Sequence, residues 1–227
     1  MLVPRNASRL YRPIGLKELE LILAAEGRGF PPRLTAQPIF YPVLNEPYAV
    51  QIARDWNPPD EASGFAGFVT EFDIETKFVE RFPVQTVGAT SHQELWISAE
   101  RLQEFNEHLR STIRVTQAFF GPKYVGPAPV PVMLKGIPLE RQLHHLNGIA
   151  GYNGMDFMCE VGANWKLVLC NFGWWNSVPA ERQGLSPEQA ARTLQAIRDV
   201  WEKRGVDFPL PKFAALSPTG HVGGASQ

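Results

Sequence analysis

The richest group of aromatic and amide side chains lies in the second half of the sequence. Asn164 and Trp165 come first, and Trp174 and Trp175 follow within the segment 171–176. Aromatic faces beside amides can hold a planar small molecule or a peptide, because rings supply stacking area and amides supply hydrogen bonds. The same residues also suit the core of a small domain, and the sequence leaves both interpretations open.

Sequence motifs for metal binding and for the common nucleophiles are missing. The chain has no Cys-x-x-Cys, His-x-x-x-His or Gly-x-Ser-x-Gly, and no glycine-rich phosphate loop. His144 and His145 are adjacent, so on a helix their side chains point about 100° apart and cannot easily share a metal ion. We therefore predict no metal site, and expect one buried and one exposed histidine at this pair.

A second set of short motifs runs through the first half of the chain. In order they are Leu10-Tyr11-Arg12, Ile39-Phe40-Tyr41-Pro42-Val43, Tyr48-Ala49 with Ile52-Ala53, and His92-Gln93-Glu94-Leu95-Trp96-Ile97. This order resembles the ADP-ribosyltransferase fold over about residues 10–118. Members begin with a strand carrying Arg or His, continue with a strand leading into an Ala-x-x-x-Ala helix, and end with a strand opening on the catalytic Glu. The motifs also resemble bacterial proteins loosely labelled as ADP-ribosylation or crystallin-like.

The resemblance implies a role for each of these residues. Glu94 would be the catalytic carboxylate, and His92 would occupy the position that often selects the acceptor side chain. Arg12 would contact the ribose or a phosphate of NAD, and Tyr41 would stack on nicotinamide. Tyr48 would be a further NAD-binding residue. The implied activity is transfer of ADP-ribose from NAD to a macromolecular acceptor such as a protein, or hydrolysis of NAD.

The implied chemistry has a physical basis. Cleavage of nicotinamide from NAD passes through a cation-like ribose, and a carboxylate such as Glu94 can stabilise that charge while it hydrogen-bonds a ribose hydroxyl. The guanidinium of Arg12 can bind a phosphate in a two-pronged geometry, and the ring of Tyr41 can stack on a base.

Two other functions remain open. The first is a catalytically inactive relative that binds a protein partner, as an immunity or scaffold protein does. Two departures from the family pattern favour this function. Phe40-Tyr41-Pro42 stands where the Arg type of the family has Ser-Thr-Ser, and Arg12 stands where the Tyr type has His. Convergence of Arg12, Tyr41 and Glu94 within about 10 Å would discriminate against it, since one ligand-sized cleft has that reach. The second is a small-molecule binder that uses the tryptophans of the second half.

The first half alternates predicted strands with short predicted helices. We expect strands at 10–12, 38–41, 67–74, 84–87, 94–97 and 112–119, and helices at 16–26, at 45–56 and after residue 98. Asn45 and Ser98 are the predicted N-caps, and Trp56 is predicted to face inward. This alternation predicts an α+β domain over residues 8–120, which by the resemblance is an ADP-ribosyltransferase-like split β-sheet with short helices.

Residues 121–138 contain four prolines between Pro122 and Pro131, which exclude helix and interior strand. We interpret this stretch as a linker, with a long surface loop of a single domain as the alternative. A small α+β domain is predicted over residues 139–215, and a flexible tail over 216–227.

In the second domain we expect a helix at 140–146 and a hairpin of two strands, 156–161 and 165–172. The final helix is predicted from a capping box, in which Ser186 is the N-cap, Pro187 follows it and Gln189 completes the box. Gly205 is the predicted end of that helix.

Composition narrows the classes of partner. The net charge is −1, which disfavours nucleic acid because phosphate neutralisation needs a basic excess. Cys159 and Cys170 are too few for a disulfide scaffold and are expected to be buried as small apolar residues. Residues 1–13 lack a signal-peptide core, and no apolar run reaches the length of a bilayer span. We therefore expect a cytoplasmic protein without a membrane partner.

Overall fold

The computed structural model describes residues 5–129, 133–204 and 208–211, and it confirms the predicted α+β class. The strands are β1 (Ala7–Gly15), β2 (Ile39–Phe40), β3 (Ala66–Glu75), β4 (Val84–Thr86), β5 (Gln93–Leu95), β6 (Ile97–Ser98) and β7 (Arg114–Phe120). The helices are α1 (Leu16–Ala24), α2 (Glu46–Asp55), α3 (Thr76–Val79), α4 (Leu102–Glu107), α5 (Leu139–Tyr152), α6 (Gly154–Ala163), α7 (Trp165–Ser177) and α8 (Pro187–Arg204).

All strand pairs are antiparallel; β2 pairs with β6 in a separate two-stranded sheet, and the segment 41–44 connects the other strands. β3 pairs with β1 on one side and with β7 on the other, and β4 pairs with β5. Val43 exchanges two backbone hydrogen bonds with Tyr11 of β1, at 2.9 and 2.8 Å. On its other side, Val43 lies opposite Glu94 of β5. The segment therefore joins the three-stranded sheet to the β4–β5 pair.

The pairing assigns each side chain to one of two faces. Residues directly opposite each other in antiparallel strands point to the same side, so Tyr11, Val43 and Glu94 share one face. We call it the outer face, and α2 packs on it through Ala49 and Ala53. The opposite, inner face carries Leu10, Arg12 and Ile14 of β1, all buried; Leu10 and Ile14 belong to the main hydrophobic core.

The two strands predicted in the second half are wrong. Residues 156–161 lie in α6 and residues 165–172 lie in α7. The buried residues of α6 are Phe157, Glu160 and Val161, which is helical spacing, whereas Cys159 is exposed. Asn153 caps the helix, because its side chain accepts hydrogen bonds from the backbone N–H groups of Met155 and Asp156. The alternation of apolar residues at 157, 159 and 161, which suggested a strand, therefore arose by chance within an apolar helix.

Other local predictions have mixed outcomes. Asn45 caps α2 by accepting from the backbone N–H of Tyr48 at 3.0 Å, and Ser186 and Gln189 form the predicted capping box before α8. Trp56 was expected to face inward but is 60% exposed. Ser98 precedes a 3-10 turn over 99–101 and makes no side-chain cap bond to its backbone. The predicted stop at Gly205 and the tail at 216–227 lie outside the described residues.

The described parts of the stretch predicted as a linker, residues 121–129 and 133–138, contact helices of the second half. Tyr124 is buried, and its hydroxyl donates to the side chain of Asn171 in α7 at 2.7 Å. Farther along, the backbone N–H of Leu134 donates to the buried carboxylate of Glu160 at 2.7 Å. One cluster of buried apolar side chains runs from the inner face of the sheet to α5, α7 and α8. Within the described residues, no helix is long and apolar enough to cross a bilayer.

Gly67 lets α2 approach the sheet closely. A Cβ at Gly67 would overlap the backbone carbonyl of Ala53 in α2, whereas a Cβ at Gly148 in α5 would meet open space. We expect Gly67→Ala to lower the free energy of unfolding by about 3 kcal/mol, because a backbone atom cannot give way cheaply. The matched change Gly148→Ala is expected to raise it by about 0.5–1 kcal/mol through helix propensity. Urea unfolding measures both, and equal effects would contradict the close approach.

Candidate functional site

A buried carboxylate lies on the outer face beside the first turn of α2. Glu94 of β5 is only 9% exposed. Its Oε1 accepts a hydrogen bond from Nε1 of Trp96 at 2.7 Å, and its Oε2 lies 3.5 Å from the hydroxyl of Tyr48 in α2. Burial, followed by the charge of Glu94, raises the pKa of Tyr48, so the phenol stays a donor at neutral pH. Because the contact to Tyr48 is long, Oε2 keeps room for a further donor.

His92 supports this arrangement from the side. Its ring stacks flat on Tyr48, with centroids 4.2 Å apart and an interplanar angle of 8°. Nδ1 lies 3.2 Å from the carbonyl oxygen of Val87, which accepts when this nitrogen carries the proton. Nε2 lies 3.0 Å from Oε1 of Gln51 in α2. His92 thus ties the loop before β5 to α2 and fixes the ring of Tyr48.

Two exposed aromatic rings flank the carboxylate. Tyr41 and Trp96 meet edge to face, with centroids 6.1 Å apart, and they are 39% and 51% exposed. Their neighbours in sequence, Phe40 for Tyr41 and Leu95 and Ile97 for Trp96, are buried in the core. Because side chains alternate between the two sides of a strand, Tyr41 and Trp96 point to the outer face, as Glu94 does. Exposed rings of this size beside a buried acceptor form a surface on which a planar group can stack.

Arg12 does not join this site. It lies on the inner face, where Nε and Nη2 donate to the two carboxylate oxygens of Glu18 at 2.8 and 3.1 Å. Nη1 donates to the carbonyl of Tyr41 at 3.1 Å, and the guanidinium covers the ring of Phe40 at 4.5 Å. The expected convergence of Arg12 with Glu94 on one pocket is therefore not seen, because neighbouring positions in a strand point to opposite faces.

Glu18 is shared between two arginines. Arg33 approaches the same carboxylate at 3.5 Å, and its side chain is 8% exposed. Burial alone would raise the pKa of Glu18, but Arg12 and Arg33 outweigh it and hold that pKa below its ordinary value. Nε of Arg33 is buried without a hydrogen-bond partner among the described residues. The group stabilises the inner face rather than offering an open cation to a ligand.

The outer face beside the site carries ion pairs that are already formed. Arg9 donates to Asp73 at 2.9 Å, and Arg114 donates to Glu71 at 2.9 Å. Tyr11 lies in the same row, and burial, followed by the charges of nearby carboxylates, raises its pKa. An incoming phosphate would have to compete with these carboxylates for the arginines.

The sequence pointed to Tyr41, Tyr48, His92 and Glu94, and the structure gathers all four on the outer face. It missed Trp96 as a partner of Glu94. A signal existed, because two residues apart on one strand means one face. Gln51 and Glu18 carried no local signal, since their contacts depend on how α2 and α1 pack on the sheet.

The tryptophans of the second half separate into core and surface. Trp175 is 1% exposed and belongs to the core, and Trp174 packs against it in part. Trp165 lines a cavity. Among the described residues, no group of three His, Cys, Asp or Glu side chains could hold a metal ion.

Replacement of Glu18 by Gln tests the inner-face ion group. We expect Glu18→Gln to lower the free energy of unfolding at neutral pH by about 3 kcal/mol, because the buried guanidinium groups of Arg12 and Arg33 lose the charge of their carboxylate partner. Since the pKa of Glu18 is lowered by folding, its contribution is present above its ordinary value of 4.5 and is lost as pH falls below it. The difference between the two proteins, measured by urea unfolding, should therefore shrink in acid.

Glu140→Gln is the matched control for that measurement, because Glu140 is exposed on α5. We expect this variant to unfold like the unmodified chain at every pH. A difference between Glu18→Gln and the unmodified chain that stays constant with pH would contradict the ion group.

Comparison of the chain with protein-family models, with curated proteins and with solved structures gave no significant match. The function of this chain therefore has to be inferred from its own residues and their geometry.

Proposed function

We propose that the outer-face site binds NAD and that Glu94 is the essential carboxylate of ADP-ribosyl transfer or NAD hydrolysis. The N-terminal half would then be an ADP-ribosyltransferase-like domain. The observation that carries the proposal is the Glu94 carboxylate, buried and held by Trp96 and Tyr48 beside two exposed rings. The neighbouring positions of β1, the segment 41–44 and β5 also support it, because the motifs of the resemblance lie on these three.

Glu94 would act on the ribose next to nicotinamide. Oε2 has room to accept a hydrogen bond from a ribose hydroxyl, and the negative charge stabilises the positive charge that develops on the ribose. The bond from the nicotinamide nitrogen to the ribose carbon breaks, and its electron pair leaves with nicotinamide. The acceptor, or water, forms the new bond to that carbon and loses a proton.

The remaining residues would position the substrate and the carboxylate. Trp96 and Tyr48 donate to Glu94 and so hold it in one orientation, and His92 fixes Tyr48 by stacking. Tyr41 and Trp96 offer the ring surface for nicotinamide. Arg12 takes a structural role in this proposal, because Glu18 and the backbone of Tyr41 already occupy its donors.

A second candidate function is binding of a protein partner without catalysis. It is favoured by the engagement of Arg12 on the inner face, which removes one residue of the family pattern from the site. The exposed side chains of Leu34, Tyr41 and Trp96 suit such a role, since aromatic residues dominate protein interfaces.

Glu94→Gln tests the catalytic proposal. The amide keeps the size of the side chain and an acceptor for Trp96, but it removes the charge. We expect NAD to bind both proteins, seen as quenching of tryptophan fluorescence, while nicotinamide release falls by about 100-fold or more, as when one electrostatic group is removed from a site. Glu140→Gln is the matched control, because it removes an exposed charge far along the chain, and it should behave like the unmodified protein.

Arg12→Lys distinguishes a structural arginine from a ligand-binding one. We expect this variant to unfold at lower urea concentration and to keep the KM for NAD of the unmodified protein, because lysine cannot make the two-pronged contact with Glu18. A large rise in KM would instead place Arg12 at the substrate. Absence of NAD binding by the folded, unmodified protein at millimolar concentration would overturn the catalytic proposal and leave partner binding as the function.

A further inference from the structure

A cavity of about 470 Å³ lies between the first helix and the second half of the chain. Glu20 of α1 lines one side, Trp165, Lys166 and Leu167 at the start of α7 line another, and Pro127 contributes from the connecting segment. The cavity shares no lining residue with the Glu94 site. Its volume is within the range of sites that bind small molecules.

Glu20 and Lys166 are the two charged residues that line this cavity, and both of their side chains are exposed. Within the described residues, neither the carboxylate of Glu20 nor the ammonium of Lys166 makes a hydrogen bond or an ion pair. The ammonium lies 5.5 Å from the centroid of the Trp165 ring, its neighbour in sequence. One negative group, one positive group and one indole therefore face the same space.

The rest of the lining is apolar or uncharged. Leu167 and Pro127 supply apolar surface, and Cys170 lies in the wall with its thiol kept neutral, because burial raises its pKa. The ring of Trp165 is backed by Phe208, with centroids 5.7 Å apart, so the indole is held in place. A ligand here would meet a fixed aromatic wall and two charges of opposite sign.

We propose that this cavity binds a small zwitterion, a free amino acid or a dipeptide with an apolar side chain. The ligand's ammonium would face Glu20, its carboxylate would face Lys166, and its apolar side chain would pack against Trp165 and Leu167. Opposite charges on the ligand match those of the cavity, and a molecule lacking either charge would leave one of the two cavity charges without a ligand partner.

The electrostatics of Glu20 agree with this assignment. Burial raises the pKa of the Glu20 carboxyl, and Lys17 offsets only part of that effect. The Glu20 side chain stays exposed, so only part of its hydration is lost, and a ligand cation at this wall would compensate for that loss. The polar atoms of the cavity thus fit a charged ligand better than a purely apolar one.

The experiment titrates the full-length protein with L-phenylalanine and with glycyl-L-phenylalanine, followed by calorimetry and by NMR of the Trp165 indole N–H. 2-Phenylethylamine lacks the carboxylate and 3-phenylpropionate lacks the ammonium. We expect at least one zwitterion to bind, and each single-charge analogue to bind about tenfold more weakly or worse than L-phenylalanine, since a charged hydrogen bond is lost.

Two charge-removing variants assign the contacts. In Glu20→Gln, L-phenylalanine and 3-phenylpropionate should bind equally, and in Lys166→Gln, L-phenylalanine and 2-phenylethylamine should bind equally. Lys203→Gln, an exposed change on α8, is the matched control and should keep the preferences of the unmodified protein. Failure of both zwitterions to bind at millimolar concentration overturns the proposal. A preference for L-phenylalanine over the single-charge analogues that stays the same in Glu20→Gln and in Lys166→Gln also overturns it. NAD binding at the outer face is measured separately, so the two proposals can fail independently.

Discussion

The backbone pairing of Val43 on both sides is the constraint on which the candidate site depends. On one side Val43 exchanges hydrogen bonds with Tyr11, and on the other the flanking residues bond to β5, with Leu95 N–H donating to the carbonyl of Pro42 at 2.9 Å. This double pairing fixes the register of β1 against β5. It therefore determines that Glu94 stands on the outer face and that the neighbour of Tyr11, Arg12, stands on the inner one.

The two faces of the sheet differ in how their charged side chains are stabilised. The inner face is sealed by the core, so a charge there needs a partner, and Arg12 finds Glu18 and the ring of Phe40. The outer face is covered by α2 over part of its length, and the exposed rings of Tyr41 and Trp96 stand beside that cover. Glu94 sits where this cover ends, buried enough to need Trp96 as a donor and close enough to the exposed rings to be reached.

Helix α1 connects the sheet with the helical second half. Its apolar residues, among them Leu19 and Ile22, enter the common core. Its two carboxylates diverge, because Glu18 turns to the arginines of the inner face while Glu20 lines the cavity beside α7. Positions two apart on a helix point in nearly opposite directions, so one short helix serves both places.

Local sequence alone determined the α+β class, α1, α2 with its Asn45 cap and α8 with its capping box, because backbone groups and nearby side chains satisfy each other there. The resemblance to the ADP-ribosyltransferase fold indicated Tyr41 and Glu94, and the pairing of Val43 with Glu94 places both on one face. Only tertiary structure decided that α6 and α7 are helices, since an apolar run fits either element until its partners are known. The side of the sheet on which Arg12 lies was likewise set by strand register, a long-range pairing that no local pattern encodes.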